Sequence, residues 1–360
     1  MSYLLAFLGF AALIFLHEAG HFVAAKAVGM RVERFSLFFG PMPIKRKWGE
    51  TEYGIGVIPL GGYVKITGMN PNEELAPEVV SRAYYNQAVW KRVVTILAGP
   101  LVNIVIAFGI AWALLYSQGQ PVGAPTKHVA EVVKGTPAAG FMKPGDQIVS
   151  IDGVTGSPAA LRTQIRSHRC AGAQVDGCSA ATPATIVLRR DGKLLTVHAR
   201  PKLVGTTPEL GFNFGVRIVN TIYPSAGGAA GTAVSRLWSV TTQTVSTIGR
   251  IFEPKERKQL NSVVGGYTVT QEAFASSATR ALEVLALISL SLGVINLFPF
   301  LPLDGGHVFW AVAEKVRGRR IPFSVMERAS VVGFALILLL FVIGLSNDIS
   351  TLSGPGFNIR

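Results

Sequence analysis

The residues best suited to chemistry form the pentapeptide HEAGH, His17 to His21, inside an apolar run that starts at the first residue. Two histidines four positions apart lie above one another on one helix face, so both imidazoles can reach one metal ion. Glu18 stands between them and can hold a water beside the metal and take its proton, the general-base role in zinc hydrolysis. Ionisable side chains in so apolar a segment are costly in lipid and indicate function. We therefore predict that His17 and His21 bind Zn2+ and that Glu18 is catalytic.

A second candidate group lies near the other end of the chain, in the segment NLFPFLPLDGGH from Asn296 to His307. Pro299 and Pro302 prevent a regular helix, so the unwound backbone must line a cavity or be buried in protein. Asp304 follows these prolines and offers a carboxylate as a third ligand, with a helix cap at the membrane surface as the alternative. His307 is a rival ligand, although a contact beside the ligands or at the surface suits its position better.

The composition shows what kind of protein positions these residues. Hydrophobic residues make up 49% of the 360 residues and charged residues only 15%, and the mean hydropathy is +0.40, which is too apolar for an ordinary soluble protein. The net charge of +13 suggests nucleic-acid binding, but no recognition motif supports it. Basic loops beside a lipid bilayer explain the charge better. Segments long enough to span a bilayer are 3–25, 93–116, 281–300 and 329–346.

The orientation follows from the short loops. Lysine and arginine concentrate in 26–92 and 315–328, which the positive-inside rule assigns to the cytoplasm. Both termini and the long 117–280 segment then face outward. At about 1.5 Å per residue, His17 lies roughly 20 Å along the first span from its outer end, nearer the cytoplasmic face. Asp304, at the inner end of the third span, lies at the same depth, so two imidazoles, a carboxylate and a water make an open tetrahedral zinc site.

Two further segments could act near this site. Glu52 to Val57 and Tyr63 to Thr67 are predicted to form a membrane-associated β-hairpin around Gly61 and Gly62. Gly61, Gly62 and Tyr63 would then offer a strand edge to an extended substrate, with a surface hairpin of no catalytic role as the alternative. Asn103 in the second span could hydrogen-bond across spans near the site, and simple packing between helices is about as good an explanation.

The outward segment contains a region, residues 126–204, that resembles a PDZ domain of the bacterial protease-associated kind. In such domains a groove between a strand and a helix accepts peptides by strand addition, so peptide or substrate contacts are expected there. Leu210 to Ile218 is its closing strand or a remnant of a second copy. Cys170 and Cys178, the only cysteines, form a disulfide or remain two free thiols. The expected divisions of the chain are 1–116, 117–218, 219–280 and 281–360.

The whole pattern resembles the site-2 protease family of intramembrane metalloproteases. The matching motifs are HEAGH, PLGGYVK (Pro59 to Lys65), AGPLVN in the second span and NLFPFLPLDGG, in the order found in that family. They are similar to the bacterial branch with a periplasmic PDZ domain, which includes the regulator of sigma-E protease. The resemblance implies that His17, His21 and Asp304 hold zinc, that Glu18 is the base and that Asn296 positions the substrate backbone. That branch often carries two PDZ domains, whereas this chain shows one.

The expected protein is thus a polytopic α-helical membrane protein with about four transmembrane helices, a membrane-associated β-hairpin and an inserted extracytoplasmic PDZ-like α/β domain. The resemblance implies a zinc endopeptidase of the bacterial inner membrane that acts in regulated intramembrane proteolysis. Its substrates would be transmembrane proteins such as anti-sigma factors or remnant signal peptides, cut near the cytoplasmic side. Two alternatives are a PDZ-containing receptor, which leaves HEAGH unexplained, and a metal transporter, which needs a second line of polar residues.

Overall fold

The computed structural model describes residues 2–59, 61–70, 72–133, 135–250 and 263–352. The chain divides into two compact units. We call Met1–Gln118 together with Pro224–Arg360 the helical unit, and Gly119–Tyr223 the inserted unit. The predicted connector 219–280 includes residues 251–262, which lie outside the described residues.

Within the described residues, four helices of the helical unit are long and apolar enough to cross a membrane. This confirms the prediction of about four helices that could span a membrane. The second of them begins and ends beyond the predicted 93–116, whereas the third ends at Asn296 because Pro299 cannot continue a helix. These helices are α1 (Ser2–Ala27), α3 (Val89–Gln118), α7 (Ala278–Asn296) and α9 (Phe323–Leu352).

Shorter helices complete the helical unit. The one that matters for chemistry, α8 (Asp304–Arg317), starts directly after the proline-rich segment and ends at Gly318, which adopts a left-handed conformation with φ 72°. Such a glycine is a common helix terminator because it has no Cβ to clash. The others are α2 (Pro77–Val80), α5 (Ala226–Gly249) and α6 (Val263–Ser276), with a 3-10 turn at Tyr84–Asn86.

A four-stranded sheet follows α1, with the strand order β2-β3-β1-β4. Strand β1 lies in the middle, parallel to β3 and antiparallel to β4. The aromatic ring of Phe35 in β1 contacts the rings of Phe15 and Phe22 in α1, with centroids 5.4 and 5.3 Å apart. The sheet therefore packs along α1. Its strands are β1 (Val32–Leu37), β2 (Ile44–Trp48), β3 (Thr51–Ile55) and β4 (Tyr63–Ile66).

The predicted hairpin around Gly61 and Gly62 is wrong. Strands β3 and β4 do not pair, because β1 lies between them. The hairpin is instead β2–β3, whose antiparallel register is closed by a turn at Gly49 with φ 61°. The connection that carries Gly61 and Gly62 leads from one side of β1 to the other. The predicted strands 52–57 and 63–67 correspond to β3 and β4 with nearly the same bounds. Each of them pairs with β1 and not with the other.

The inserted unit is built on an antiparallel sheet with the order β11-β5-β6-β7-β8. Its core contains Ile148, Leu188 and Leu161, the last on α4 (Pro158–Arg166). Most of the segment Leu210 to Ile218, expected to be a closing strand or a remnant of a second copy, lies in β11, which pairs with β5. Cys170 and Cys178 form a disulfide. The strands are β5 (Gln120–Val132), β6 (Gln147–Ile151), β7 (Ala184–Arg190), β8 (Lys193–Ala199) and β11 (Phe212–Ile222), with a separate pair, β9 (Lys202–Val204) and β10 (Thr207–Glu209).

Candidate active site

Three potential ligands from the two ends of the chain meet in the helical unit. One turn of α1 brings Nε2 of His17 within 3.3 Å of Nε2 of His21. Asp304, the first residue of α8, places its Oδ2 atom 3.3 Å from each of these nitrogens. Both imidazoles are buried. The helix-cap alternative for Asp304 does not describe this geometry, because Leu303 is the N-cap residue and no side chain caps the helix.

The donor triangle has the size of a zinc site. Tetrahedral Zn–N and Zn–O bonds of about 2.0–2.1 Å set ligand atoms about 3.3–3.4 Å apart, which matches the observed separations of 3.3 Å. Oδ2 of Asp304 is buried and has no hydrogen-bond partner, as expected for an atom that faces a cation. Among the described residues, the potential metal ligands that lie close together are His17, His21 and Asp304, and His307 is not one of them. Two nitrogens and one carboxylate oxygen therefore fit Zn2+, with a fourth position left for substrate or water.

Helix α3 fixes the orientation of both imidazoles. His21 donates from Nδ1 to the backbone carbonyl of Thr95 at 2.9 Å, which leaves Nε2 as a lone-pair donor. The amide nitrogen Nδ2 of Asn103 lies 3.2 Å from Nδ1 of His17. A histidine that offers Nε2 to a metal carries its proton on Nδ1 and needs an acceptor there. Rotation of the amide by 180° exchanges Nδ2 and Oδ1 in the same space; Asn103 then supplies that acceptor, and Oδ1 gains the partner that it otherwise lacks.

Close packing of α1 on α3 makes these contacts possible. A Cβ atom at Gly99 would overlap the ring of His21, so any larger residue at this position would displace the imidazole. Sequence reasoning missed Thr95 and Gly99. Gly99 had a signal in the small residues of the AGP motif, which suggest close helix contact. Thr95 had none, because its contribution is a backbone carbonyl.

Helix α8, which carries Asp304, is attached to the rest of the unit at both ends. At its start, Gly305 and Gly306 are buried against the backbone of residues 297–301. Near its end, Glu314, which is half-buried, forms an ion pair with the buried Arg92 of α3. The position of Asp304 therefore depends on the same helix, α3, that orients the two imidazoles.

Glu18 lies beside the donor triangle and packs against the segment before β4. It is half-buried. A Cβ atom at Gly62 would lie 2.7 Å from Cγ of Glu18 and 2.9 Å from the carbonyl oxygen of Ser36, both too close for a side chain. Gly62 was predicted to contact substrate, and the structure gives it a second task, which is to leave room for Glu18.

His17, Glu18, His21 and Asp304 face one largely apolar cavity of about 920 Å³. Helices α1, α6 and α7 contribute apolar and aromatic side chains to its wall, among them Phe10, Tyr267 and Ile288. A cavity of this size holds a stretch of peptide. The cavity brings together every residue that the sequence predicted for the site: His17, Glu18, His21, Gly61, Gly62, Tyr63, Asn296 and Asp304, with His307 also in its wall.

Comparison with known proteins gives consistent matches over most of the chain. The profile of peptidase family M50 matches residues 5–340. A protein of Brucella suis biovar 1 with a zinc metalloprotease name is 30% identical over 361 residues, covering 93% of this chain and 92% of the relative. A similarly named protein of Mesorhizobium japonicum is 32% identical over 351 residues, covering 90% and 92%. The zinc metalloprotease Rip1 of Mycolicibacterium smegmatis is 31% identical over 353 residues, covering 84% and 83%.

Proposed function

We propose a function from the premise that this chain belongs to peptidase family M50, the site-2 protease family of zinc metalloproteases. In this proposal the protein cleaves transmembrane segments of single-span proteins within the bilayer. The observation that carries the proposal is the placement of His17, Glu18, His21 and Asp304 in an apolar cavity lined by helices long enough to span a membrane. A soluble protease has no need to surround its polar centre with such helices. A peptide that reaches this cavity comes most directly from the membrane itself.

In this mechanism, His17, His21 and Asp304 would hold the zinc. Zinc, when bound, supplies Lewis-acid polarisation of the scissile carbonyl and acidifies the attacking water. Glu18 takes the proton from that water and returns it to the leaving amine. The Thr95 carbonyl and the Asn103 amide keep the imidazoles oriented through the reaction. The apolar wall excludes bulk water, which strengthens every polar interaction inside the cavity.

A substrate helix must unwind before its peptide bond can be attacked, because its amide and carbonyl groups are already hydrogen-bonded. Strand β4 offers replacement partners. It pairs with β1 on one side, and its residues Tyr63 and Val64 line the cavity on the other. An extended substrate added along β4 would satisfy its own backbone groups. Asn296, at the end of α7 and in the cavity wall, is suited to hold the substrate backbone near the metal.

The cellular setting follows from charge and chain order. We propose a multi-pass protein of the bacterial inner membrane with both termini outside and the basic loops 26–92 and 315–328 in the cytoplasm. The inserted unit, residues 119–223, would then be extracytoplasmic. We propose that it acts as a PDZ-like domain that admits substrates whose outer portion has been removed. Anti-sigma factors and remnant signal peptides are the substrate types that fit regulated intramembrane proteolysis of this kind.

The test compares the wild type with Glu18→Gln on a model single-span substrate in proteoliposomes, with zinc measured in the same samples. The matched control is Glu283→Gln, which removes an exposed carboxylate from α7 and should leave cleavage unchanged. Glu18→Gln should keep its zinc and lose cleavage, because a carboxamide cannot accept the proton of the water. Substantial cleavage by Glu18→Gln would refute the base assignment. A fully zinc-loaded wild type that cuts soluble peptides but no membrane-embedded substrate would refute the intramembrane function.

A further inference from the structure

The edge strand β2, with the sequence IKRKW, has an unusual surface for a strand at the rim of a sheet. All five residues, Ile44 to Trp48, are exposed, and Ile44 and Trp48 expose 68% and 81% of their surface. Within the described residues β2 pairs with β3 alone, so its other edge is open. Exposed tryptophan and isoleucine on an open edge invite unwanted association in water. Such a strand is better suited to an environment other than bulk solvent.

Contacts with α1 show how the sheet lies along a membrane-spanning helix. At one end, the ring of Phe38 lies 5.9 Å from that of Phe7, in the first third of α1. In the middle, Phe35 contacts Phe22 at 5.3 Å. At the other end, the β2–β3 turn places Glu50 2.7 Å from Nζ of Lys26, beside the last residue of α1. The sheet thus extends from the level of the hydrocarbon to the end of the span.

The strand register shows at which level along α1 the residues of β2 lie, because residues that face each other across strands lie at the same level. Ile44 is opposite Ile55, which is opposite Leu37, next to the deep end of the sheet. Arg46 is opposite Tyr53, which is opposite Phe35. Phe35 contacts both Phe15 and Phe22, whereas the ring of Tyr53 lies 5.8 Å from that of Phe22, which is about 8 Å along α1 from its last residue. The basic residues of β2 therefore lie where hydrocarbon gives way to lipid headgroups.

The exposed residues of the sheet change character with their level along α1. The deep end exposes apolar side chains, and the other end exposes lysine, arginine and tryptophan. A bilayer has the same gradient, with tryptophan and basic side chains favoured at the headgroup level. The exposed apolar residues are Phe39, Ile44, Ile55, Val57 and Ile58.

The charges at the headgroup level are only partly compensated by the protein. Lys45 forms an ion pair with Glu52 at 3.2 Å, whereas in the described part of the chain no acidic side chain pairs with Arg46 or Lys47. Guanidinium and ammonium groups bind phosphate through short, charge-assisted hydrogen bonds. We propose that β2 docks on anionic phospholipids, with Ile44 in the hydrocarbon and Arg46, Lys47 and the open backbone edge against the phosphates. A substrate peptide is the less suitable occupant, because β4 and not β2 borders the catalytic cavity.

Tryptophan fluorescence in nanodiscs can report the lipids beside β2. The full chain is prepared with Trp48 as its sole tryptophan and placed in bilayers that contain equal fractions of phosphatidylglycerol and phosphatidylcholine. One lipid or the other carries bromine atoms near its headgroup. A basic side chain near an anionic surface favours binding about fivefold. Phosphatidylglycerol should therefore be enriched about fivefold or more over phosphatidylcholine beside Trp48, and its brominated form should quench Trp48 correspondingly more strongly. The tryptophans changed to phenylalanine are Trp90, Trp112, Trp238 and Trp310.

A charge-removal variant separates specific docking from simple proximity to lipid. Replacement of Lys45, Arg46 and Lys47 by glutamine in the same background should make the two brominated lipids equally effective quenchers. Removal of three positive charges from the inserted unit should leave the phosphatidylglycerol preference unchanged. Zinc content confirms that each variant is folded. Equal quenching by both lipids in the parent protein, or quenching by neither, would overturn the proposal. The control variant is Lys127→Gln/Lys143→Gln/Lys202→Gln.

Discussion

The contact between Asn103 and His17 leads to a prediction about metal affinity. Asn103 is fully buried, and its amide lies 3.2 Å from Nδ1 of His17. Asn103→Leu keeps the volume but leaves the Nδ1 proton without an acceptor. Loss of a partner by a buried donor costs about 1–3 kcal/mol. Residues that orient metal-bound histidines typically contribute 10–100-fold to metal affinity. The two estimates agree, so we expect Asn103→Leu to bind zinc about 10–100-fold more weakly.

The assay is competition for Zn2+ between the detergent-solubilised full chain and a chromophoric chelator. Asn103→Asp is the conservative variant, since a carboxylate also accepts a hydrogen bond from Nδ1, and it should retain most of the affinity. Ser289→Ala is the packing control. The Ser289 hydroxyl donates to the backbone carbonyl of Asn103 at 2.8 Å, so its removal loosens α3 against α7 without touching the imidazole. Ser289→Ala should lower the thermal midpoint and change zinc affinity by less than about twofold.

Two results would refute the reasoning. Unchanged zinc affinity in Asn103→Leu would mean that the amide does not orient His17 and serves only to pack the helices. Equal loss of affinity in Asn103→Leu and Ser289→Ala would mean that general loosening of α3, and not the lost acceptor, controls the metal site.

Three further predictions test other parts of the helical unit. Asp304→Ala should lose zinc and cleavage together, whereas full retention of zinc, measured by elemental analysis, would assign the third ligand elsewhere. Gly62→Ala should lower kcat at least tenfold with zinc retained, because the added methyl group displaces Glu18; normal kcat would show that the loop simply yields. Hydrogen bonds from Arg82 lower the pKa of Glu50 to about 2, so this carboxylate stabilises the fold above its ordinary pKa. Glu50→Gln should therefore cost about 1 kcal/mol or less at pH 7. That difference should disappear as the pH falls from about 4.5 toward 2, and a difference that persists at pH 2 would contradict it.

The positions of the candidate site residues were largely predictable from the sequence because they depend on local spacing. Two histidines at positions i and i+4 must share a helix face, and the prolines before Asp304 end the third span before that residue. Only topology was needed to bring Asp304 to the depth of His17. The three ligand roles themselves remain predictions until metal binding is measured.

The arrangement of the four-stranded sheet was not predictable in the same way. Alternation of apolar and polar residues with a period of two indicates a strand but does not show which strand it pairs with. The parallel pairing of β1 with β3 is non-local, so the simple rule that consecutive strands form a hairpin assigned β4 to the wrong neighbour. The contact of Gly62 with Glu18 follows from that non-local pairing and was hidden for the same reason. The Thr95 carbonyl is available to any residue type, so no sequence pattern can mark it.

The separation of the proposed ligands along the chain has a consequence for the order in which the protein is made. His17 and His21 enter the membrane with the first helix, whereas Asp304 is added only after both the inserted unit and α7 have been synthesised. At roughly 5–20 residues per second, the ribosome needs roughly 15–60 s for the intervening segment. On the proposed assignment, the nascent chain carries Glu18 during that time without a complete ligand set. We therefore expect newly inserted membrane proteins, and the helices of this chain itself, to escape cleavage until its synthesis is nearly finished.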